Sequence, residues 1–266
     1  TDIITGLKRT EDGIFRNGVR AWTSQAVHAG DVIETHLVET EPSDGILPRP
    51  VPFSVVYEDD DILVVDKPAD TPIHPSIGNY ENTLANGIAW YFEQKGEPFV
   101  YRCINRLDRD TTGLIVLAKH ALSAAVLSQA MRSREIHRTY QAFALGETAA
   151  SGTIDAPIAR LDGSLIQRTV DFASGERSVT HYRTLAHCSV FSHLELNLET
   201  GRTHQIRVHM AYIGHPLLGD TLYNKTPGTF PRQALHSASL SFVHPITGEP
   251  LNFHAPLPED MQNLLT

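Results

Sequence analysis

Two short apolar runs, SVVYE (54–58) and ILVVDK (62–67), stand either side of Asp59-Asp60-Asp61 and read as strands joined by an acidic turn. LIVLAK (114–119) is apolar at consecutive positions, the pattern of a strand covered on both faces. RTYQAFALG, SVTHYRTLA and VFSHLELNLE alternate instead, as half-buried antiparallel strands do. Helical spacing appears over 83–95, where Leu84, Ile88, Trp90, Tyr91 and Phe92 share part of a face, and again in ALSAAVLSQAMRS (121–133). TGRTHQIRVHMAYIGHP reads as a loop feeding a helix that stops before Pro216. ALHSASLSFVHP and LNFHAP form a hairpin around residues 246–249. Strands dominate and no regular βαβ rhythm appears. The expected class is α+β, a mixed, mainly antiparallel sheet with flanking helices.

A smaller unit precedes this. Residues 2–12 suit a short helix, Asn17-Gly18 is a type I′ turn signal between GIFR and VRAW, and VIETHLVE supplies a third strand. Pro42, Pro48, Pro50 and Pro52 mark a linker. The expected division is a small α/β hairpin unit at 1–40, a linker at 41–52, and a catalytic domain at 53–266.

Composition narrows the picture less than distribution does. The net charge of −9 argues against a polyanionic partner if taken whole. Yet residues 41–100 carry eleven acids and three bases, whereas 101–140 carry seven bases and three acids, and 201–240 four bases and one acid. Two basic segments in an acidic chain can build a basic cleft. No apolar run is long enough to span a bilayer, and the N-terminus lacks a secretory pattern, so no membrane role and a cytoplasmic location are expected. Cys103 and Cys188 are too few for a thiolate cage, and the spacing of His204, His209 and His215 matches no zinc motif, so no metal is expected.

The polar loop NRLDRDTTGLIVLAK (105–119) sets two carboxylates and several cations directly before the buried strand, where rigid support suits catalysis. Alone it also fits an ion-paired turn. Asp108-Arg109-Asp110-Thr111-Thr112 additionally fits the DxDx[TV] nucleophile loop of haloacid-dehalogenase-like phosphotransferases, although the preceding VYRCINRL is not the hydrophobic strand that motif requires. A non-catalytic RNA-binding protein built on the N-terminal hairpin is a third reading.

Taken together and in order, VVDKPADTPIHPS, NRLDRDTTGLIVLAK, HRTYQAFALG and TGRTHQIRVHMAYIGHPLLGDTLY resemble the RluA-type pseudouridine synthases over about residues 53–257. RNGV and AGDVI within 14–38 resemble the C-terminal half of a small RNA-binding domain known from a ribosomal protein, here shortened at its helical end. Asn105 stands where the family commonly has His, which implies an altered contact with the RNA backbone. Thr112 replaces a usual Ser and Asp70 a frequent Gly.

The resemblance implies an isomerase acting on uridine in structured rRNA or tRNA, working as a monomer and needing no cofactor, since the reaction adds no atom and changes no oxidation state. It implies Asp108 as nucleophile, Tyr140 stacking on a flipped uracil, and Arg202 as the cation that keeps Asp108 charged. Arg106 would fill the space vacated by the base. Arg109, Arg138, His204, Ile206 and Arg207 would bind substrate, with Arg102 and Arg134 also near phosphates. Attack at C1′ and abstraction of a ribose proton both remain open.

Overall fold

Residues 2–37 and 42–265 are described in a computed structural model. Near the N-terminus, α1 (Asp2–Arg9) precedes a three-stranded sheet of β1 (Ile14–Arg16), β2 (Val19–Arg20) and β3 (Ile33–Thr35). Asn17 (φ 53°) and Gly18 (φ 75°) are both left-handed, as a type I′ turn requires. The Asn17 amide also donates to the Asp31 carboxylate at 2.7 Å and accepts from Val32 N at 2.8 Å, holding the chain that enters β3. The expected third strand (32–39) is formed only over Ile33–Thr35 among the described residues, and its end at 38–39 lies outside them.

The remaining elements are β4 (Ser54–Glu58), β5 (Ile62–Lys67), α2 (Leu84–Lys95), β6 (Thr112–Ala118), α3 (Ala121–Arg132), β7 (His137–Leu145), β8 (Ser151–Asp155), β9 (Ile158–Arg160) and β10 (Arg168–Val170). Then follow β11 (Val179–His187), β12 (Phe191–Leu198), α4 (Gln205–Tyr212), β13 (Leu235–Val243), β14 (Pro250–His254) and α5 (Glu259–Gln262). The proline-rich stretch does not hang free: Ser43 N donates to Phe99 O, Arg49 N to Asn86 O, and the Asn86 amide to Leu47 O.

One large sheet runs β4-β5-β6-β13-β7-β12-β11-β8, and β14 joins it on β13. Every pairing is antiparallel except β6 with β13. The α+β expectation, with a mixed and mainly antiparallel sheet, is met. Strands β5 and β6 explain their unbroken apolar runs. Leu63, Val65, Ile115 and Leu117 enter one core with Leu84, Ile88 and Phe92 of α2, while Ile62, Val64, Leu114 and Val116 enter another with Leu127 of α3. Helix α2 starts on a capping box between Thr83 and Asn86 and ends at left-handed Gly96.

Strand β13 forks the sheet. One edge pairs with β7 along its length; the other pairs first with β6 at His236 and Ser237, then with β14 from Ser239 to Val243. The fork needs Gly113 of β6. Its φ is +110°, and a Cβ there would lie 2.3 Å from Ser237 O. This crossing brings the start of β6, and the loop before it, against β13 and β7.

Candidate active site

The loop that precedes β6 is fastened from below by two buried cations. Lys67, at the end of β5, donates from Nζ to Pro68 O, Thr71 O and Arg109 O at 2.7–2.9 Å. Arg232 donates to Asp110 O at 3.1 Å and pairs through two nitrogens with Asp260 of α5. The two carbonyls that follow Asp108 are thus each held by a side chain remote in sequence. Burial pushes the Lys67 ammonium down to about 7, against the pull of Asp110 and Asp108.

Asp108 faces a cleft of about 470 Å³. Its Oδ2 accepts from Arg207 Nη1 at 3.0 Å. The same guanidinium places Nε and Nη2 on the two oxygens of Asp220 at 2.7 and 2.8 Å, a bidentate pair with a fully buried carboxylate. Asp220 in turn accepts from the backbone N–H groups of Leu222 and Tyr223. Burial alone would lower the Arg207 pKa, but Asp220 and Asp108 hold it above the ordinary arginine value. Arg207 also lies under the Tyr223 ring, 5.1 Å from its centroid. Among the described residues Asp108 Oδ1 accepts no hydrogen bond, and Asp108 lines the cleft.

This geometry corrects the expected pairing of Arg202 with Asp108. Arg202 sits ahead of α4 and its guanidinium pairs with Glu176 instead. The helical turn of α4 carries the residue five positions on, Arg207, inward to the carboxylate. Helix α4 is an interior helix: Gln205 to Met210 are all buried. Gln205 bonds Val179 O and Thr180 Oγ1, and His209 lies between Thr180 Oγ1 and Ala156 O.

Around Asp108 the cleft is lined by Arg106, Tyr140, Arg138, Arg202, His204, Ile206 and Arg207, with Arg132 and Arg134 at its margin. Tyr140 is buried at 4% exposure. Arg138, two residues earlier on the same strand and face, buries its Nε without a hydrogen-bond partner among the described residues. Arg109 does not line the cleft; it pairs with Asp70. Arg102 also lies outside the lining. Asn105, expected to alter contact with RNA, is buried at 3% exposure and mimics a strand: its amide donates to Leu114 O and accepts from Val116 N.

Asp110 turns away from Asp108 and accepts from Asp70 N at 3.2 Å, which does not give the paired carboxylates of the phosphotransferase reading. Elsewhere Asp59, Asp61 and His244 gather within metal-ligand distance. However, His244 Nδ1 accepts from Ile246 N and Thr247 N, so the ring proton sits on Nε2 and is donated to Asp59 at 3.0 Å. That cluster is a hydrogen-bonded staple of the β4–β5 turn.

Two residues of the site, Asp220 and Tyr223, were not singled out in the sequence. Both lie in the LLGDTLY segment, 13 and 16 positions beyond Arg207, with no periodic relation to it.

The fold and cleft define an RNA-modifying enzyme, and residues 61–212 match the RNA pseudouridylate synthase family, so the chain belongs to that family. It is 40% identical to an RNA pseudouridine synthase of Bacillus subtilis, over 99% of this chain and 93% of the relative. It is 43% identical to ribosomal large subunit pseudouridine synthase D of Vibrio cholerae, covering 88% of this chain and 76% of that one. The corresponding Escherichia coli K12 protein is 41% identical over 85% and 74%. Among solved structures, human RNA pseudouridylate synthase domain containing 1 superposes with a TM-score of 0.66 at 26% identity, covering 78% of this chain and 84% of that one. Among the described residues no helix is long and apolar enough to cross a membrane.

Proposed function

We propose that this pseudouridine synthase acts on folded large-subunit ribosomal RNA, with Asp108 as the nucleophile. The observation that carries the assignment is the Asp220–Arg207–Asp108 chain at the foot of a basic cleft. A carboxylate in a poorly hydrated pocket protonates unless a cation holds it. Arg207 supplies that cation, and Asp220 fixes the planar fork so that only Oδ2 is occupied. Oδ1 is then free either to bond C1′ or to remove a ribose proton.

Uracil within a helix is out of reach, so the nucleotide must be extruded, at a cost of a few kcal/mol. Tyr140 offers a stacking face worth about 1–3 kcal/mol, comparable to that cost. Arg138 lies two residues from Tyr140, about 7 Å along the strand. This suits a phosphate of the nucleotide whose base rests on Tyr140, and the unpartnered Nε supports that role. Arg106, exposed at the rim, is placed to fill the vacated stack. The names of the bacterial relatives favour ribosomal over transfer RNA. The N-terminal sheet, as a separate unit, would extend the RNA footprint, and a cytoplasmic monomer suffices for the site as built.

The test is release of tritium from C5-tritiated transcripts, because joining the uracil through C5 must expel that hydrogen. Large-subunit ribosomal RNA should release tritium, transfer RNA should not, and Asp108→Asn should be silent. Activity that persists in Asp108→Asn, or that EDTA abolishes, would sink the assignment.

A further inference from the structure

His204 occupies the N-cap of α4 yet makes no capping hydrogen bond. Ser, Thr, Asp or Asn usually fills that position and satisfies the first turn. Among the described residues His204 is also one of four non-glycine residues with positive φ, at 59°. A left-handed backbone is unfavourable for any residue with a Cβ. What this conformation achieves is the direction of the ring, which enters the cleft between Tyr223 and Asp108.

The proton positions on that ring follow from its neighbours. The Tyr223 hydroxyl accepts from Arg168 N at 2.8 Å and lies 2.8 Å from His204 Nδ1. Among the described residues, Nδ1 is the acceptor in reach of the phenolic hydrogen. If Nδ1 donated instead, that hydrogen would be left without a partner in a half-buried site. Tyr223 therefore donates to Nδ1, and the ring proton resides on Nε2. Nε2 points toward Asp108, 3.9 Å from Oδ2, too far for a direct hydrogen bond. Arg207 already occupies Oδ2, so the Nε2–H group is uncommitted and aimed into the reaction space. Burial lowers the His204 pKa; Asp108 opposes this, and Arg207 and Arg168 add to it. The ring is a neutral donor rather than an acid.

We propose that His204 donates a hydrogen bond from Nε2 to uracil O2 as the base departs from C1′, with Tyr223 as the positioning residue that locks the donor tautomer. The proposal rests on the nucleophile assignment for Asp108. Nε2 stands 3.9 Å from the other oxygen of the carboxylate whose Oδ1 would address C1′, which puts it within reach of the atoms next to that carbon, N1 and O2. The C1′–N1 bond breaks with its electron pair passing to the uracil ring, shared between N1 and O2. Asp108 Oδ1 takes up C1′, or the C2′ proton on the alternative route. His204 keeps its proton and shares it with O2. After rotation C5 bonds C1′ as the Oδ1–C1′ bond breaks and frees the carboxylate, or, on the alternative route, as Asp108 returns its proton to C2′. C5 then loses its hydrogen to solvent as a proton and N1 gains one. Three of the five Arg207 N–H groups are already given to the two carboxylates.

Single-turnover tritium release from the ribosomal transcript tests this. His204→Ala should slow the chemical step about tenfold or more, less than the loss of an oxyanion donor to a localised charge, with RNA affinity within about twofold. His204→Gln, whose amide can stand in for Nε2–H, should recover part of that loss. Tyr223→Phe keeps the ring against Arg207 and should slow the otherwise unaltered protein about fivefold, yet cost nothing further in the His204→Gln background, which has no tautomer to lock. An equal Tyr223→Phe penalty in both backgrounds, or a wild-type rate in His204→Ala, overturns the proposal. A wild-type protein that releases no tritium would instead overturn the functional reading beneath it.

Discussion

Arg207 gives one nitrogen to Asp108 and two to Asp220, so a single guanidinium joins the reactive carboxylate to a fully buried one. Asp220→Ala would leave Arg207 buried without its main partner. Breaking one side of such a pair costs about 3–5 kcal/mol. The urea midpoint should fall accordingly. Asp220→Asn keeps the shape but frees the fork, and its turnover should fall about tenfold or more while RNA affinity holds. Unchanged turnover in Asp220→Asn would show that the outer carboxylate does not aim Arg207.

Arg202 should behave in the opposite manner. Its partner is Glu176 rather than Asp108. Arg202→Met should weaken RNA binding and leave the single-turnover rate of bound RNA within about twofold. A rate loss exceeding the binding loss would restore the role that sequence resemblance suggests for it.

Arg138 offers a salt test. Replacing it by Ala should remove about one phosphate contact, weakening binding and reducing the slope of log K against log salt by about 1. Fluorescence anisotropy across a salt series reads both. A full wild-type slope would place the phosphate elsewhere.

Acid stability should depend on His236. Burial lowers its pKa to about 4, and the ring is held between Thr112 Oγ1 and Ala255 O. The unfolded chain takes up a proton near the ordinary histidine value of about 6.5, which the folded chain refuses until about 4. Stability from this residue is present above pH 6.5 and is lost as pH falls toward 4. His236→Gln should flatten that part of the urea-midpoint profile. The same slope in both proteins would refute it.

Gly113→Ala should be severe. The added methyl meets Ser237 O at a backbone angle alanine avoids. Several kcal/mol of destabilisation is expected by thermal melting, without help from any repacking of a flexible neighbour.

Much of the frame was legible because residues 62–65 of β5 and 114–118 of β6 are apolar at consecutive positions, the pattern of strands covered on both faces. The type I′ turn at Asn17-Gly18 was legible for a similar reason, since few residues tolerate its backbone. Strands β8, β9 and β10 were not, being three to five residues long and rich in polar groups. The loop of Asp108 and the cleft residues stood out through their motifs, but motif order does not fix which arginine points inward. Arg202 and Arg207 both follow β12 closely, and the turn of α4 decides between them. Asn105 read as an altered contact with RNA, whereas its amide replaces a strand neighbour for β6. Nothing in the spacing of Asp220 or Tyr223 announced their roles, because the chain returns to Asp108 only through tertiary folding.

The mooring of Arg109 and Asp110 by Lys67 and Arg232 bears on selectivity. A carboxylate mounted on so stiff a support cannot travel to meet its target. The work of displacement then falls on the nucleic acid, and uridines compete by how cheaply each leaves its stack. Discrimination among RNAs becomes largely a property of their own local softness, with the protein acting as a fixed gauge.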